Sequence, residues 1–468
     1  MADTPVVVQG TAVEAGNANQ SPNHLGGEEN GSKTSCNDPI FAALGYINLI
    51  AIAVVAGAFS DKVFTSNEDS GNVREYDGYI YAFIATSALS GVLSLLGMLF
   101  MMSFPTLIIK VALIFSVVMS AIMVVINVIL QNYFGVIFSL IYLALVLCYA
   151  RAVWARIPFA TVNLVTSITA IRANFGIIFF AYGFAIMAFV WAFIWVVAFI
   201  GTYENNVECD EFGNCDEEPN PFAIIMLLLS FFFGQEILKN SIHVQVAGVT
   251  ATWWISPEEN GCCGSAVTNS FIRTMTTSFG SICFGSLLVA ILQTLKTLAR
   301  SARENGGIGA CIAECILGCL EAILQYFNKW AFIYVGIYGF PYIKAGKSVF
   351  ELFKNRGWEA IIADDLVENA LFLGSLVVGL IMGGVAILID EISDILKDAG
   401  DNTTLLAFFI GFLAGFVISA ILNSTFASGV NAIIVLFADC PNEFQSNHPE
   451  LSQKMRDTWR EIYPNDFQ

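Results

Sequence analysis

The sequence predicts an all-α, polytopic membrane protein with about ten transmembrane helices. Of its 468 residues, 56% are hydrophobic and only 13% are charged, whereas soluble chains are about a quarter charged. Residues 111–150 carry no charged side chain, and this stretch is long enough for two spans of about 20 residues each. Backbone groups in lipid have no water to bind, so each apolar run is expected to be a helix.

The first five spans follow uninterrupted apolar runs. The first ends at Ser60, Asp61 and Lys62, and Pro105 marks a tight turn between the second and the third. These helices are placed at residues 40–59, 79–104, 105–130, 133–150 and 175–201. Residues 151–172, between the fourth and fifth spans, are predicted to form an amphipathic segment.

Five further spans are predicted in the second half of the chain. The sixth begins near Pro221 and has a polar second half. The remaining four are placed at residues 272–298, 330–343, 366–389 and 405–437. The transmembrane domain therefore covers residues 40–437 and is followed by a tail, 438–468. Residues 1–39 are rich in Gly, Asn, Ser and Glu and are expected to be disordered, because they contain too few apolar groups to form a core.

The distribution of Lys and Arg predicts the orientation of the chain. Residues 151–172 contain three of these cations and residues 344–356 contain four, and the tail contains Lys454, Arg456 and Arg460. Alternating spans place all three segments on one side, which should be the cytoplasm together with both termini. Lys296, Arg300 and Arg303 would then lie outside. Either the seventh helix is long and carries them clear of the membrane, or the helix pair around them does not span fully.

The overall charge argues against several functions. A net charge of -18, from 39 acidic and 21 basic residues, disfavours nucleic acid as a partner and favours cationic solutes. No P-loop sequence is present, so ATP is not expected to drive the protein directly. The chain has three histidines, His24, His243 and His448, and no pattern of catalytic or metal-binding groups, so neither an enzyme nor a cofactor is predicted.

The sixth predicted span contains a stripe of polar side chains. Glu236, Lys239, Asn240 and His243 follow the spacing i, i+3, i+4 and i+7, so they share one helix face. Ionisable groups at membrane depth usually face a bundle interior or a water-filled path. We predict that Glu236, Asn240 and His243 contact a cationic solute, with Glu236 as its counter-ion and His243 as a proton-sensitive group. Alternatively, the stripe marks the end of the helix, with Lys239 reaching the lipid headgroups and Glu236 bridging to it at i+3.

Around this stripe the sequence resembles the choline transporter-like family (solute carrier family 44), particularly its fungal and protist branch. The resemblance covers roughly residues 175 to 460. It rests on the following residues: Gln235, Lys239, Asn240, His243, Ala247, Gly248, Trp253, Trp254, Ser278, Phe279, Gly280, Ser281, Phe284, Gly285, Ser286, Leu287, Asn328, Lys329, Trp330, Ala331, Phe437, Ala438, Asp439, Pro449, Glu450 and Leu451. The first outer loop, residues 60–78, is short, unlike the large glycosylated loop of animal relatives.

The resemblance implies about ten spans, cytoplasmic termini and a multi-pass protein of the plasma membrane. It also implies uptake of choline or a related amine by a sodium-independent, often proton-linked route. The leading hypothesis is thus a secondary carrier for an organic cation, embedded in the lipid bilayer. The alternative is a channel-like or structural membrane protein whose polar stripe only joins helices.

Aromatic side chains are the other groups that a choline site needs, because a quaternary ammonium binds to ring faces. Trp191 on the fifth span and Tyr334 and Tyr338 on the eighth are the predicted ring contacts. Most aromatic residues of membrane proteins instead fill space or anchor the helix at the interface.

Two features of the predicted outer loops indicate covalent modification. Cys209 and Cys215 lie close together in an acidic loop and could form a disulfide in an oxidising exterior. Asn402, followed by Thr403 and Thr404, forms a glycosylation sequon.

Overall fold

The computed structural model describes residues 36–65, 77–205, 208–209, 215–216, 220–262, 264–304, 308–357, 366–393 and 403–464. Within these ranges, ten helices are long and apolar enough to cross a membrane, which confirms the predicted class of polytopic all-α membrane protein. Two short antiparallel strands are the exception to the helical architecture.

Between residues 36 and 205, the residues that the structure describes form six α-helices. These are α1 (Pro39–Thr65), α2 (Asp77–Ser103), α3 (Pro105–Ile129), α4 (Tyr133–Val153), α5 (Ile157–Ala173) and α6 (Gly176–Asn205). A single 3₁₀ turn, Trp154–Arg156, joins α4 to α5. Pro105 occupies the first turn of α3, where its missing N–H costs no hydrogen bond. The apolar runs thus predicted the first five spans to within a few residues.

The described part of the second half begins with β1 (Glu208–Cys209) and β2 (Cys215–Asp216) and continues with nine helices. They are α7 (Pro221–Ile255), α8 (Ser265–Met275), α9 (Phe279–Glu304), α10 (Ile308–Tyr338), α11 (Tyr342–Arg356), α12 (Leu366–Ser393), α13 (Thr403–Asp439), α14 (Pro441–Asn447) and α15 (Pro449–Ile462). Asn220 caps α7 by accepting a hydrogen bond from the Phe222 N–H at 3.0 Å.

The seventh predicted span, 272–298, is divided in the structure. α8 ends at Met275 and a new helix, α9, begins at Phe279. The hydroxyls of Thr276 and Thr277 donate to the backbone carbonyls of residues 272 and 273, and Thr276 leaves the helical conformation. Hydroxyl side chains that bind the backbone in this way compete with helix continuation. The span is therefore Phe279–Glu304.

The eighth predicted span, 330–343, is wrong at both ends. The structure has one helix, α10, from Ile308 to Tyr338, which Gly339 ends with a φ of 67°. The first half of α10 was not predicted as a span because Glu314 and Glu321 interrupt the apolar pattern. In the fold these carboxylates pair with α9, since Arg303 lies 3.0 Å from Glu314.

The cations that oppose the charge rule all form ion pairs. α9 extends to Glu304 and carries Lys296, Arg300 and Arg303 along its last turns. Lys296 Nζ lies 2.5 Å from Glu321 Oε2, and Arg300 lies 3.8 Å from Glu304. α9 has 26 residues and α10 is also long enough to cross a membrane, so the position of these cations relative to the membrane stays a prediction.

The segment predicted to be amphipathic is instead an interior helix. In α5, 11 of 17 residues are buried. The tail helix α15 covers α5, and Trp459 Nε1 donates to Asn163 Oδ1 at 3.0 Å. α14 packs against the end of α7, where Phe444 stacks on Trp254 with 3.8 Å between ring centroids. The tail is therefore part of the helical core.

α7 and α13 are the two helices that place the polar stripe in the interior. They are 35 and 37 residues long, and both are lined with buried side chains. α7 packs against α6, α9, α10 and α13. Most side chains in the middle of α7 are consequently buried or half-buried against other helices, and Lys239 is the exposed exception.

Candidate functional site

The polar stripe lies at the middle of α7. This helix begins at Pro221 and continues beyond His243 to Ile255. The stripe therefore does not mark the end of the helix, although Lys239 pairs with Glu236 at 3.4 Å as that alternative also implied. Contact of Lys239 with lipid headgroups stays a prediction. Glu236 and Asn240 are each 7% exposed. Lys239 differs, since 59% of its side chain is exposed.

The stripe lines a cavity of about 580 Å³ between five helices. α7 contributes the stripe, and α9, α10, α12 and α13 form the other walls. Besides Glu236, Lys239, Asn240 and His243, the lining consists of Val289, Ala322, Gln325, Tyr326, Asn328, Lys329, Glu368, Leu371, Phe372, Ser375, Ala420, Asn423, Ser424, Ala427, Ser428 and Asn431. A volume of this size falls within the range of about 300–1,000 Å³ that is typical of small-molecule sites.

Glu236 is at the centre of a hydrogen-bond network on one side of the cavity. Its carboxylate accepts from Lys239 Nζ at 3.4 Å, Asn240 Nδ2 at 3.3 Å and Gln293 Nε2 at 3.2 Å. Gln293 also donates to Glu321 at 3.1 Å. Because Lys239 is largely exposed, it can leave the carboxylate at little cost, since exposed ion pairs contribute only about 0–1 kcal/mol.

His243 lies about one turn beyond Asn240 on α7 and contacts the backbone of Lys329, which belongs to a second charged pair. Its Nε2 lies 3.0 Å from the Lys329 carbonyl oxygen and its Nδ1 lies 2.5 Å from Ser428 Oγ. Lys329 Nζ is 2.9 Å from Glu368 Oε1, and Asn431 donates to the same oxygen at 2.8 Å. The cavity thus has two carboxylates and two ammonium groups, with an imidazole between the two pairs.

Two rings line the cavity, Tyr326 of α10 and Phe372 of α12. Neither was among the predicted ring contacts. Trp191 lies elsewhere, because it packs against Gly234 between α6 and α7 and donates to the Phe231 carbonyl at 3.3 Å. It is not among the cavity-lining residues.

Tyr334 and Tyr338 also lie outside the cavity lining. Both hydroxyls donate to the Asp439 carboxylate, and their ring centroids are 4.8 Å apart. Tyr334 is five residues beyond Lys329 on α10, which is about 7.5 Å along the helix axis. Next to this cluster, burial and the Asp439 charge raise the pKa of the Cys440 thiol to about 12.

The sequence therefore identified one wall of the cavity and missed the others. Glu368 is an ionisable residue within the predicted ninth span, and this was the signal that could have identified it. Lys329 was noted only as part of the family resemblance. Tyr326 had no signal, because it lies in the half of α10 that was not predicted as a span.

The two predicted modification sites remain predictions. The backbone of β1 and β2 places Cys209 directly opposite Cys215, but the side chains of both lie outside the described part of the structure. Asn402 also lies outside the described residues. In the parts of the chain that the structure does describe, no cluster of three or more His, Cys, Asp or Glu side chains could hold a metal ion.

The part of the chain that forms the cavity matches a known protein family. A family model described as "Plasma-membrane choline transporter" matches residues 136–442, which include every lining residue of the cavity. This match extends from α4 into α14.

Individual relatives come from fungi and a slime mould. Protein PNS1 of Mycosarcoma maydis is 28% identical over 94% of this chain and 86% of its own length. A CTL-like protein of Dictyostelium discoideum is 31% identical over 70% of this chain and 57% of its own. Protein PNS1 of Gibberella zeae is 28% identical over 69% of this chain. The chain spans 62% of the length of the Gibberella zeae protein, which is less than two thirds.

Proposed function

Because the chain belongs to the plasma-membrane choline transporter family, we propose that it is a secondary carrier for choline or a related organic cation. The polar cavity beside α7 is the proposed solute site. The single observation that carries this proposal is the position of the stripe, which lines a cavity of about 580 Å³ in the middle of the longest helices.

The chemistry of the cavity suits a small organic cation. Choline has a quaternary ammonium that cannot donate a hydrogen bond from nitrogen, so it needs a negative charge and ring faces rather than acceptors alone. Glu236 supplies the charge, and Tyr326 and Phe372 supply rings. When the solute enters, its cation takes the place of the exposed Lys239 ammonium beside Glu236.

A proton gradient is the proposed source of energy. His243 is the cavity group whose ordinary pKa is nearest to neutral pH. It lies between Ser428 and the Lys329 carbonyl, adjoining the Lys329–Glu368 pair. A proton gained or lost at His243 changes the charge next to the solute, which links solute binding to proton movement.

The proposed location is the plasma membrane, with both termini in the cytoplasm. The second candidate function is a channel-like or structural membrane protein. A structural role predicts polar groups buried only against each other, whereas Lys239 remains largely exposed at the cavity. A channel would leave this observation intact, so the experiment must separate a channel from a carrier.

Counterflow in proteoliposomes provides this separation. Vesicles that contain the purified chain are loaded with unlabelled choline and diluted into a trace of labelled choline, with and without a pH gradient. A carrier accumulates label transiently above equilibrium, whereas a channel does not. The proposal fails if the wild type shows no saturable uptake, or if Glu236→Ala and His243→Ala leave uptake unchanged.

A further inference from the structure

A second cavity adjoins the polar one. It has a volume of about 380 Å³ and is formed by α2, α3, α12 and α13. Its lining is apolar apart from Ser419 and Asn423. We refer to it as the apolar groove. The proposed carrier function does not require any ligand in this groove.

The groove has a buried floor and an exposed rim. On the floor, Met98 and Met101 are 2% and 3% exposed. At the rim, Leu96 and Phe100 of α2 and Val111 of α3 are each more than half exposed. These helices are membrane spans, so the exposed apolar rim faces lipid. The groove is therefore open to the acyl region of the bilayer.

The groove and the polar cavity share a wall. Leu371 of α12 and Asn423 of α13 line both. Asn423 Nδ2 donates to the Leu371 carbonyl at 3.1 Å and to Ser375 Oγ at 2.8 Å, which fixes this side chain at the junction. The polar cavity and the apolar groove thus meet at Leu371 and Asn423.

We propose that the apolar groove binds the acyl chain of a single-chain amphiphile whose quaternary ammonium headgroup occupies the polar cavity. The headgroup assignment rests on the proposed function. The placement of the acyl chain rests on the groove itself. An apolar site that opens to lipid and adjoins a polar cavity matches a molecule with an acyl chain and a polar headgroup. The substrate class then includes acylated choline as well as free choline.

Gly374 provides a specific way to fill the groove. It lies on α12 in the groove lining, and it is not among the residues that line the polar cavity. A Cβ at this position would have Asn423 Nδ2 as its nearest neighbour, at 3.8 Å, which is ordinary van der Waals contact. Gly374→Leu therefore directs a side chain to the junction without a backbone clash. Gly384→Leu on the same helix is the matched control, since nothing lies within 4 Å of its Cβ.

The test is photolabelling with a choline ester whose acyl chain ends in a diazirine. The purified chain in lipid nanodiscs is irradiated with this probe, and the labelled peptides are identified by mass spectrometry. We expect label in α2, α3 and α12, reduced by excess free choline. Each methylene group excluded from an apolar site weakens binding about fourfold. If the Leu side chain of Gly374→Leu expels two methylene groups of the probe, the amount of label should fall by about tenfold or more. Gly384→Leu should keep it.

Several outcomes would overturn the inference. One is label spread evenly over all lipid-facing helices, and another is groove label that free choline does not reduce. A third is a dimer whose amount falls in Gly374→Leu, because the groove would then be covered by a second copy. If Gly374→Leu does not elute as a monodisperse peak, Gly97→Leu fills the groove from α2, where the nearest atom to its Cβ is 3.8 Å away.

Uptake of labelled choline in the same preparations separates the two proposals. Groove label without choline uptake in the wild type would refute the carrier function alone. Choline uptake without groove label would refute the groove inference alone.

Discussion

Replacement of Glu236 by Gln removes one charge from the cavity and keeps the size of the side chain. The amide has nearly the same shape as the carboxylate, but Asn240 and Gln293 donate to different carboxylate oxygens, so its one oxygen keeps one of these two hydrogen bonds. In the structure these donors lie 3.3 and 3.2 Å from the carboxylate, and the Glu236 side chain is 9% exposed. The variant therefore tests the charge rather than the packing.

The expected loss can be estimated from Coulomb's law. A quaternary ammonium at about 4.5 Å from the carboxylate, with an effective dielectric constant of about 20, is stabilised by about 4 kcal/mol. Displacement of Lys239 from the same carboxylate costs at most about 1 kcal/mol, because this lysine is largely exposed. The difference, about 3 kcal/mol, corresponds to a loss of choline affinity on the order of 100-fold.

The assay is the concentration dependence of labelled choline uptake in proteoliposomes, together with equilibrium binding to the purified chain. Glu236→Gln should raise both KM and Kd on the order of 100-fold. The matched control is Glu304→Gln, which should leave both constants unchanged, since the Glu304 side chain is 68% exposed at the end of α9, where it lies 3.8 Å from Arg300. A Kd for Glu236→Gln within about twofold of the wild type would refute Glu236 as the counter-ion.

Three further substitutions test the proton link and the fold. His243→Gln should retain choline exchange at equal pH but lose stimulation by an imposed pH gradient; full stimulation in the variant would contradict the proposed coupling. Gly248→Ala would place a Cβ 2.6 Å from Arg273 Nη2 and 3.2 Å from the Gly336 carbonyl oxygen, so the melting temperature should fall by an amount equivalent to about 1–3 kcal/mol; an unchanged value would contradict the close packing. Trp459→Ala should destabilise the chain by about 3–5 kcal/mol, because this side chain is fully buried against α5; thermal unfolding that matches the wild type would show that the tail is not part of the core.

Apolar runs predicted most of the spans because polar side chains in lipid cost free energy, so the residues of a span are mostly apolar. α12 and α13 were predicted closely for this reason, at 366–389 and 405–437. The same reasoning failed for α10, where Glu321 is 8% exposed but is neutralised by Lys296 of α9. A partner on another helix cannot be identified from the spacing within one helix.

The candidate site was predictable to the same limited extent. The spacing from Glu236 to His243 placed these groups on one face, and the structure brings them to one cavity with Asn240. The sequence did not indicate that Glu368 would lie opposite them, because it is distant along the chain and belongs to another helix. Spacing could not decide the aromatic contacts either, since an i, i+4 pair such as Tyr334 and Tyr338 defines a helix face without showing what that face meets.

The position of bound choline tests the central claim most directly. It can be measured in an experimental density map of the chain in lipid nanodiscs with excess choline, compared with a map recorded without it. We expect added density in the polar cavity, in contact with the Glu236 carboxylate and within about 6 Å of a ring that lines the cavity. Density beside Tyr334, Tyr338 and Asp439 instead, or a polar cavity that is identical in the two maps, would contradict the account.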